Sequence, residues 1–313
     1  MNAYILYECP NWSAKNHAEA LQHHAPDDWN VTIDWWTGHH RQWQYDDADA
    51  IINLGSNCHK ELYETASRRC PDALIVSRYN TQYPRYVDKL DMLHECSDIV
   101  IVESRQCQQA IPGRYNKVRR LASGVDGRVF RVTRPPHQRK PRVLWCAGIA
   151  GQSPERGDVK RYTMAQRLRE VLAEQDIDME LLTVDPNGED CRRPAQMRDW
   201  YNTGRIFCVT SKMEGLPNTA LEAAACGCLI VGTSVGVLPE FVQQGKTGWI
   251  VPPTVEAFVE AITQANHQYL HAIRDVRERV AQWEWSRLAG YYYQLIDGEL
   301  CARASNQREA DNG

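Results

Sequence analysis

The chain has 313 residues, 43% of them hydrophobic, and a formal net charge of -4 from 36 basic and 40 acidic residues. Its length exceeds the usual single domain, its apolar content suffices for two cores, and so small a charge excludes a globally basic nucleic-acid or anionic-membrane binder. No apolar run approaches the roughly 20 residues that span a bilayer, and the start, MNAYILYECPNWSAKNHAEAL, lacks a basic n-region and a signal-type cleavage site, so a cytoplasmic location is expected.

Short apolar runs recur, each followed by a segment of helical period: AYILYE then Ser13–His24, DAIINLG then His59–Cys70, ALIVS, and DIVIVES then Arg105–Ile111. Strands alternating with helices predict a parallel sheet covered on both faces. After the basic, proline-rich RVTRPPHQRKPR the rhythm restarts with VLWCAG, a helix over Lys160–Glu174, MELLTV, a helix over Pro194–Asn202, RIFCVTS, a helix over Asn218–Cys226, and CLIVGTS. The expected fold class is therefore α/β, with two Rossmann-like doubly wound domains facing a cleft. Residues 1–134 form the first domain and 135–280 the second, with a hinge near 131–141. An aromatic amphipathic helix over 281–300 crosses back to the first domain, and 301–313 is a disordered tail. The eleven cysteines form no CxxC pair, and Cys146, Cys208 and Cys228 lie in strand-like runs, as reduced structural thiols do.

The stretch EGLPNTALEAAACG places Glu214 and Glu222 at the two ends of a small, apolar run. RIFCVTS reads as a buried strand and KMEGLPN as its loop. Asn218 and Thr219 open a helix that Gly227 closes as its C′ residue. The unpaired N–H groups and positive dipole end of that first turn favour a phosphate. Gly215 lets the chain approach a ligand and Pro217 fixes the turn. The two acids then flank the phosphate, and because a carboxylate accepts two hydrogen bonds from a vicinal diol, they can clamp the ribose and the sugar of a nucleotide sugar.

At these residues the chain resembles the retaining family 4 glycosyltransferases of the GT-B fold, whose E-x7-E signature is matched by Glu214 and Glu222. The likeness runs through MRDWYNTGRIFCVTSKMEGLPNTALEAAACGCLIVGTSVGVLPEFVQQGKTGWIVPP and includes ASGVDGRVF. The opening YECPNWSAKNHAEALQ is similar to short bacterial and phage members. The resemblance implies that Glu222 binds ribose hydroxyls and Glu214 the donor sugar. It also implies that Gly215, Leu216, Asn218 and Thr219 meet sugar and phosphate, and that a basic residue from GQSPERGDVKRY, Lys160 or Arg156, meets the diphosphate. Lys160 is preferred because GDVKRY is similar to the D-x-K-G pattern of short members, with Arg161 where Gly is usual. A cation there stabilises charge developing on the leaving group. The His that many members place after a strand of the first domain is missing: ALIVSRYNTQYPRY offers Arg78, Tyr79 and Asn80 instead.

Asn11, Trp12 and Ser13, after the first strand, are further candidates for the cleft. The acids Asp47 and Asp49 precede their strand and read as a solvated loop; no metal site, no cofactor and no obligatory metal are expected, the nucleoside-diphosphate sugar being substrate. The His pairs in QHHAP and GHHRQ read as surface residues, and of Trp35 and Trp36 at least one belongs to a core. Arg114–Arg142 carries ten basic residues against one acid, Asp126, a local charge of +9. Arg119, Arg120 and Arg139 there could form a face for an anionic acceptor. The expected function is transfer of a sugar from a UDP- or GDP-type donor to the hydroxyl of a glycan or lipid-linked glycan. The alternatives are a phage-type enzyme acting on hydroxymethylated bases in DNA and a non-catalytic nucleotide-sugar-binding protein.

Overall fold

The structure is a computed structural model that describes all residues except 8–12, 37–43, 56–59, 80–86, 149–157, 185–191 and 312–313. Two compact units emerge from the contacts of the chain. The first comprises Met1–Glu103, Gln108–Gly124 and Trp285–Gly313; the second comprises Ser104–Cys107 and Val125–Glu284.

The first unit is built on a wholly parallel sheet of order β2-β1-β3-β4-β5-β6, formed by β1 (Asn2–Tyr7), β2 (Asn30–Trp35), β3 (Ala50–Asn53), β4 (Leu74–Arg78), β5 (Ile99–Val102) and β6 (Val118–Arg120). Every residue of β3, β4 and β5 is buried. Such continuously buried, mostly apolar runs are what a parallel sheet needs when helices cover both its faces. The helix α1 (Ser13–His23) turns Ala14, His17, Ala18 and Leu21 inward, the i, i+3, i+4, i+7 stripe of an amphipathic helix.

The second unit is also parallel, with order β11-β10-β9-β7-β8 from β7 (Val143–Gly148), β8 (Met179–Val184), β9 (Ile206–Val209), β10 (Leu229–Gly232) and β11 (Gly248–Ile250). After α2 (Lys60–Arg69), α3 (Val87–Cys96) and α4 (Arg105–Ala110), the helices along this part of the chain are α5 (Tyr162–Ala173), α6 (Pro194–Tyr201), α7 (Asn218–Ala225), α8 (Leu238–Phe241) and α9 (Val255–Ala281). The long α9, which the sequence reading did not single out, is started by Thr254, whose side chain accepts from the Ala257 N–H. Its buried residues Phe258, Ala261, Ile262, Ala265, Tyr269, Ala272 and Val276 keep the helical period.

The chain passes between units at Gly124/Val125, earlier than the expected 134/135, because residues 125–134 are tied into the second unit. Val125 bridges Glu284 in parallel and donates to the Trp283 carbonyl at 2.9 Å. The Asn202 side chain accepts from the Thr133 N–H at 2.8 Å and donates to the Arg131 carbonyl at 3.0 Å.

After Glu284 the chain returns as α10 (Trp285–Asp311). Trp285, Ala289, Tyr292, Tyr293 and Ile296 of this helix join the core of the first unit, beside Leu21, Trp29 and Val76. The Tyr293 ring meets Trp29 edge-on at 4.9 Å, and its hydroxyl donates to the Leu21 carbonyl at 2.7 Å. Residues 301–311, expected to be disordered, continue this helix. Among the described residues no helix is long and apolar enough to cross a membrane. Because Trp285 is 2% exposed, Trp285→Ala should destabilise the first unit by about 3–5 kcal/mol, measured by urea unfolding followed by circular dichroism.

Candidate active site

The buried strand β9 leaves the sheet at Thr210 and Ser211, which are 0% and 4% exposed. Polar groups so deep need partners from the protein, and neighbouring segments supply them. Trp145 of β7 donates its indole N–H to the Thr210 hydroxyl at 2.9 Å, and that hydroxyl donates to the Lys160 carbonyl at 2.6 Å. The Lys212 N–H reaches the Val159 carbonyl at 2.7 Å. Thr233, after β10, donates its hydroxyl to the Ser211 carbonyl at 2.6 Å. Thus the turn that carries Lys160 is stitched to the exit of the strand that leads to Glu214.

Glu214 and Lys160 are brought together in an ion pair. The Lys160 ammonium and the Ser211 hydroxyl, the latter at 2.7 Å, both donate to Glu214 Oε1. Four residues later α7 begins without a side-chain cap; its positive dipole end suits an anion, while the Asn218 and Ala220 N–H groups bond the Leu216 and Pro217 carbonyls, both at 2.9 Å. The helix ends as expected: Gly227 has φ +88, its N–H bonds the Ala224 carbonyl at 2.8 Å, and the Cys228 N–H bonds the Ala223 carbonyl at 2.9 Å. This paired bonding is a Schellman motif.

Glu222 has different surroundings. The hydroxyl of Tyr201, a residue 0% exposed on α6, donates to Glu222 Oε2 at 2.9 Å. Although solvent reaches part of the residue, loss of hydration pushes its carboxyl up from 4.5 to about 7, against the smaller lowering by the Tyr201 hydrogen bond. The Cys146 thiol of β7 is pushed up to about 12, first by burial and then by the Glu222 carboxylate, with Lys160 and Arg192 opposing.

Gly215, Leu216 and Pro217 are buried, while Asn218 and Thr219 keep partial exposure at the helix start. Gly236 (φ +54) backs this loop closely: a Cβ there would lie 2.5 Å from the Gly215 carbonyl oxygen and 3.1 Å from the Pro217 ring. Tyr201, Arg192 and Gly236 were not found in the sequence, because each reaches the site through the tertiary fold.

Other candidates stand elsewhere. Arg156, Asn11, Trp12 and Asn80 lie outside the described residues. Ser13 opens α1. Arg78 is 5% exposed inside the first unit, bonded to His17 Nδ1 at 2.8 Å and to Glu103 at 3.4 Å; Tyr79 is also buried. The strand end that lacks a His in sequence thus receives one from α1, on the periodic stripe noted above. Arg119 and Arg120 are exposed on β6. Arg139 does not join them on any face. It is 2% exposed, and its guanidinium donates to the Arg134 carbonyl and to Asn202 Oδ1 at 3.1 and 2.7 Å, so its role is internal. Trp36 is buried and Trp35 is exposed. Asp47 and Asp49 are exposed in the turn before β3, as expected, where Asp47 accepts from the Tyr4 hydroxyl at 2.6 Å and Asp49 from the Asn2 N–H at 2.7 Å.

With this geometry in place, residues 145–268 match the family model described as "Glycosyl transferases group 1". The matched residues lie within the second unit. Among curated relatives, the D-inositol 3-phosphate glycosyltransferase of Corynebacterium efficiens is 32% identical over 183 residues, 55% of this chain and 40% of the relative. D-inositol 3-phosphate glycosyltransferase 2 of Catenulispora acidiphila is 26% identical over 162 residues, 50% of this chain and 35% of the relative. The chain thus aligns with at most two-fifths of the length of these relatives. The sucrose-phosphate synthase of Thermosynechococcus elongatus matches with a TM-score of 0.65 at 15% identity, covering 96% of this chain and 100% of that one. Anabaena HepE in complex with UDP matches with a TM-score of 0.67 at 12% identity, covering 95% and 100%. The fold, an α/β chain with two parallel sheets, is therefore of the GT-B type.

The raised carboxyl of Glu222 has a consequence for stability. Between pH 4.5 and about 7 the folded chain holds a proton that the unfolded chain has lost, so Glu222 destabilises increasingly as pH rises and fully above 7. The penalty at pH 8 is on the order of 3 kcal/mol. Glu222→Gln should therefore raise the melting temperature relative to wild type at pH 8 and lose most of that advantage at pH 5, as followed by thermal denaturation.

Proposed function

We propose that this chain is a retaining glycosyltransferase that moves a sugar from a nucleoside-diphosphate sugar, of UDP type, to an acceptor hydroxyl. The observation that carries the reading is the pair of acids on one loop and helix within the matched domain. Glu214 is joined to the Lys160 cation, and Glu222 has one oxygen held by a buried phenol and the other without a protein partner among the described residues.

In this reading the second oxygen of Glu222 accepts hydrogen bonds from the ribose diol, and Glu214 accepts from a hydroxyl of the donor sugar. Lys160 neutralises Glu214 while the site is empty and turns to the diphosphate when the donor arrives, helped by the first turn of α7. Both contacts strengthen as the leaving group gains charge, which is where stabilisation lowers the barrier. The bond from the anomeric carbon to the phosphate oxygen breaks, the acceptor oxygen bonds the same face of that carbon, and the acceptor proton passes to the leaving phosphate. The chain's own cations meet the phosphate charge, so no metal is obligatory.

The acceptor is a glycan or a phosphorylated polyol, a class supported by the names of the curated relatives. A DNA acceptor has less support than the raw count of basic residues suggested. Arg139 is internal, while Arg128 pairs with Asp126, Arg142 with Asp178 and Glu180, and Arg114 with Asp91.

Glu222→Ala should weaken UDP binding at least tenfold in calorimetry, because the ribose contact exists in the nucleotide alone. Glu214→Ala should leave UDP affinity within about threefold and lower turnover of the UDP-sugar about a hundredfold. Equal UDP affinity in wild type and Glu222→Ala would overturn the assignment. Activity should survive EDTA; its loss with recovery on adding manganese would overturn the metal-free mechanism.

A further inference from the structure

Among the described residues, two that are not glycine have positive φ, Arg161 (φ 48) and Asp176 (φ 58). They stand at opposite ends of α5. Asp176 follows the end of the helix, where a left-handed residue is an ordinary way to stop, and the Ile177 N–H closes on the Leu172 carbonyl at 3.0 Å. Arg161 precedes the first turn, with ψ 51 in the left-handed region and no capping bond from its side chain. Glycine would take that conformation without strain, whereas a residue with a Cβ must be held in it by other contacts.

Those contacts lead to the site. Arg161 Nη1 donates to the Thr210 carbonyl at 2.9 Å and to the Ser211 carbonyl at 2.7 Å. Thr210 sends its hydroxyl back to the Lys160 carbonyl, and Ser211 sends its own to Glu214. One guanidinium therefore joins the residue next to Lys160 with Thr210, which holds the Lys160 carbonyl, and with Ser211, which bonds Glu214. Cation-to-carbonyl bonds of this kind are stronger than neutral ones, and they satisfy the carbonyls without placing another carboxylate in the site.

Resting on the donor reading above, we infer that Arg161 is a positioning residue that sets the separation of Lys160 and Glu214 for the step that releases the diphosphate. Its left-handed backbone points the side chain across to the exit of β9, and its two carbonyl bonds hold the lysine turn and the glutamate loop as one rigid piece. Without the clamp the loops still fold around their remaining bonds, Lys212 N–H to Val159 and Thr210 hydroxyl to Lys160. What is lost is precision at the reacting centre, where small misplacements are costly.

Arg161→Gly tests this cleanly, because it removes the guanidinium and relieves the backbone at once. The expected result is a melting temperature close to wild type, UDP affinity and KM within about threefold, and a fall of about ten- to a hundredfold in kcat. Arg161→Lys should recover only part of that loss. Amide hydrogen exchange supplies a readout independent of turnover: protection at Lys212 should fall at least tenfold in Arg161→Gly. Wild-type kcat in Arg161→Gly, whatever the exchange result, overturns the inference, as does unchanged protection at Lys212. If wild type itself turns over no UDP-sugar, the proposed function fails, and the exchange result still decides whether the clamp exists.

Discussion

The carboxyl end of β9 carries the constraint on which the second unit depends. A strand buried on both faces delivers Thr210 and Ser211 into a place with almost no solvent, so every polar group there must be satisfied by the chain. Trp145, the adjacent pair Lys160 and Arg161, and Thr233 answer that demand from three segments. Because those bonds are obligatory, the turn with Lys160 and the loop with Glu214 cannot drift apart without leaving buried groups unpaired. The site inherits its geometry from the hydrogen-bond accounting of the core.

A second constraint opposes the first. Glu222 sits on α7 among residues chosen for close packing, Ala220, Leu221, Ala223 and Ala224, and receives a neutral donor, Tyr201, instead of a cation. A carboxylate in such surroundings destabilises the empty fold near neutral pH. A ligand that brings two hydroxyl donors relieves the strain, so stability is given up in the free protein and returned on binding. Glu214 differs in kind, since its Lys160 partner already meets its charge when the site is empty. The two acids of one motif are thus poised differently, one waiting for hydrogen-bond donors and the other waiting to give up a cation.

The loop and helix of this site were legible in the sequence because their determinants are local: the glycine and proline before the helix, the small residues within it, and Gly227 after it. The alternation of strands and helices was legible for the same reason, as was the return of the last helix through its aromatic stripe. Charge counting failed at Arg139, since a tally of basic residues is blind to burial, and the guanidinium proved to serve Asn202 and the backbone. Tyr201 could not be linked to Glu222 from sequence, because the two meet only when α6 and α7 pack side by side. The termination of order before residue 301 was misjudged because a polar tail with good helix formers simply extends α10.

Arg139 and Arg161 share a device that bears on the ligand. Both are satisfied by carbonyl oxygens, and Arg139 also by an amide, rather than by carboxylates. A carboxylate partner would cancel the charge as well as fill the hydrogen bonds. A carbonyl fills the bonds and leaves the unit charge in place, although for Arg161 the nearby Asp158 carboxylate also acts on that charge. For Arg161, one residue from Lys160, this keeps a fixed positive charge beside the loop without competing for Glu214. A fold that had only to stabilise itself would gain more by pairing that guanidinium with an acid or by using glycine at the left-handed position. Keeping a cation bonded to carbonyls on a strained backbone makes physical sense where further negative charge comes from the ligand, as the diphosphate of a nucleotide sugar would supply.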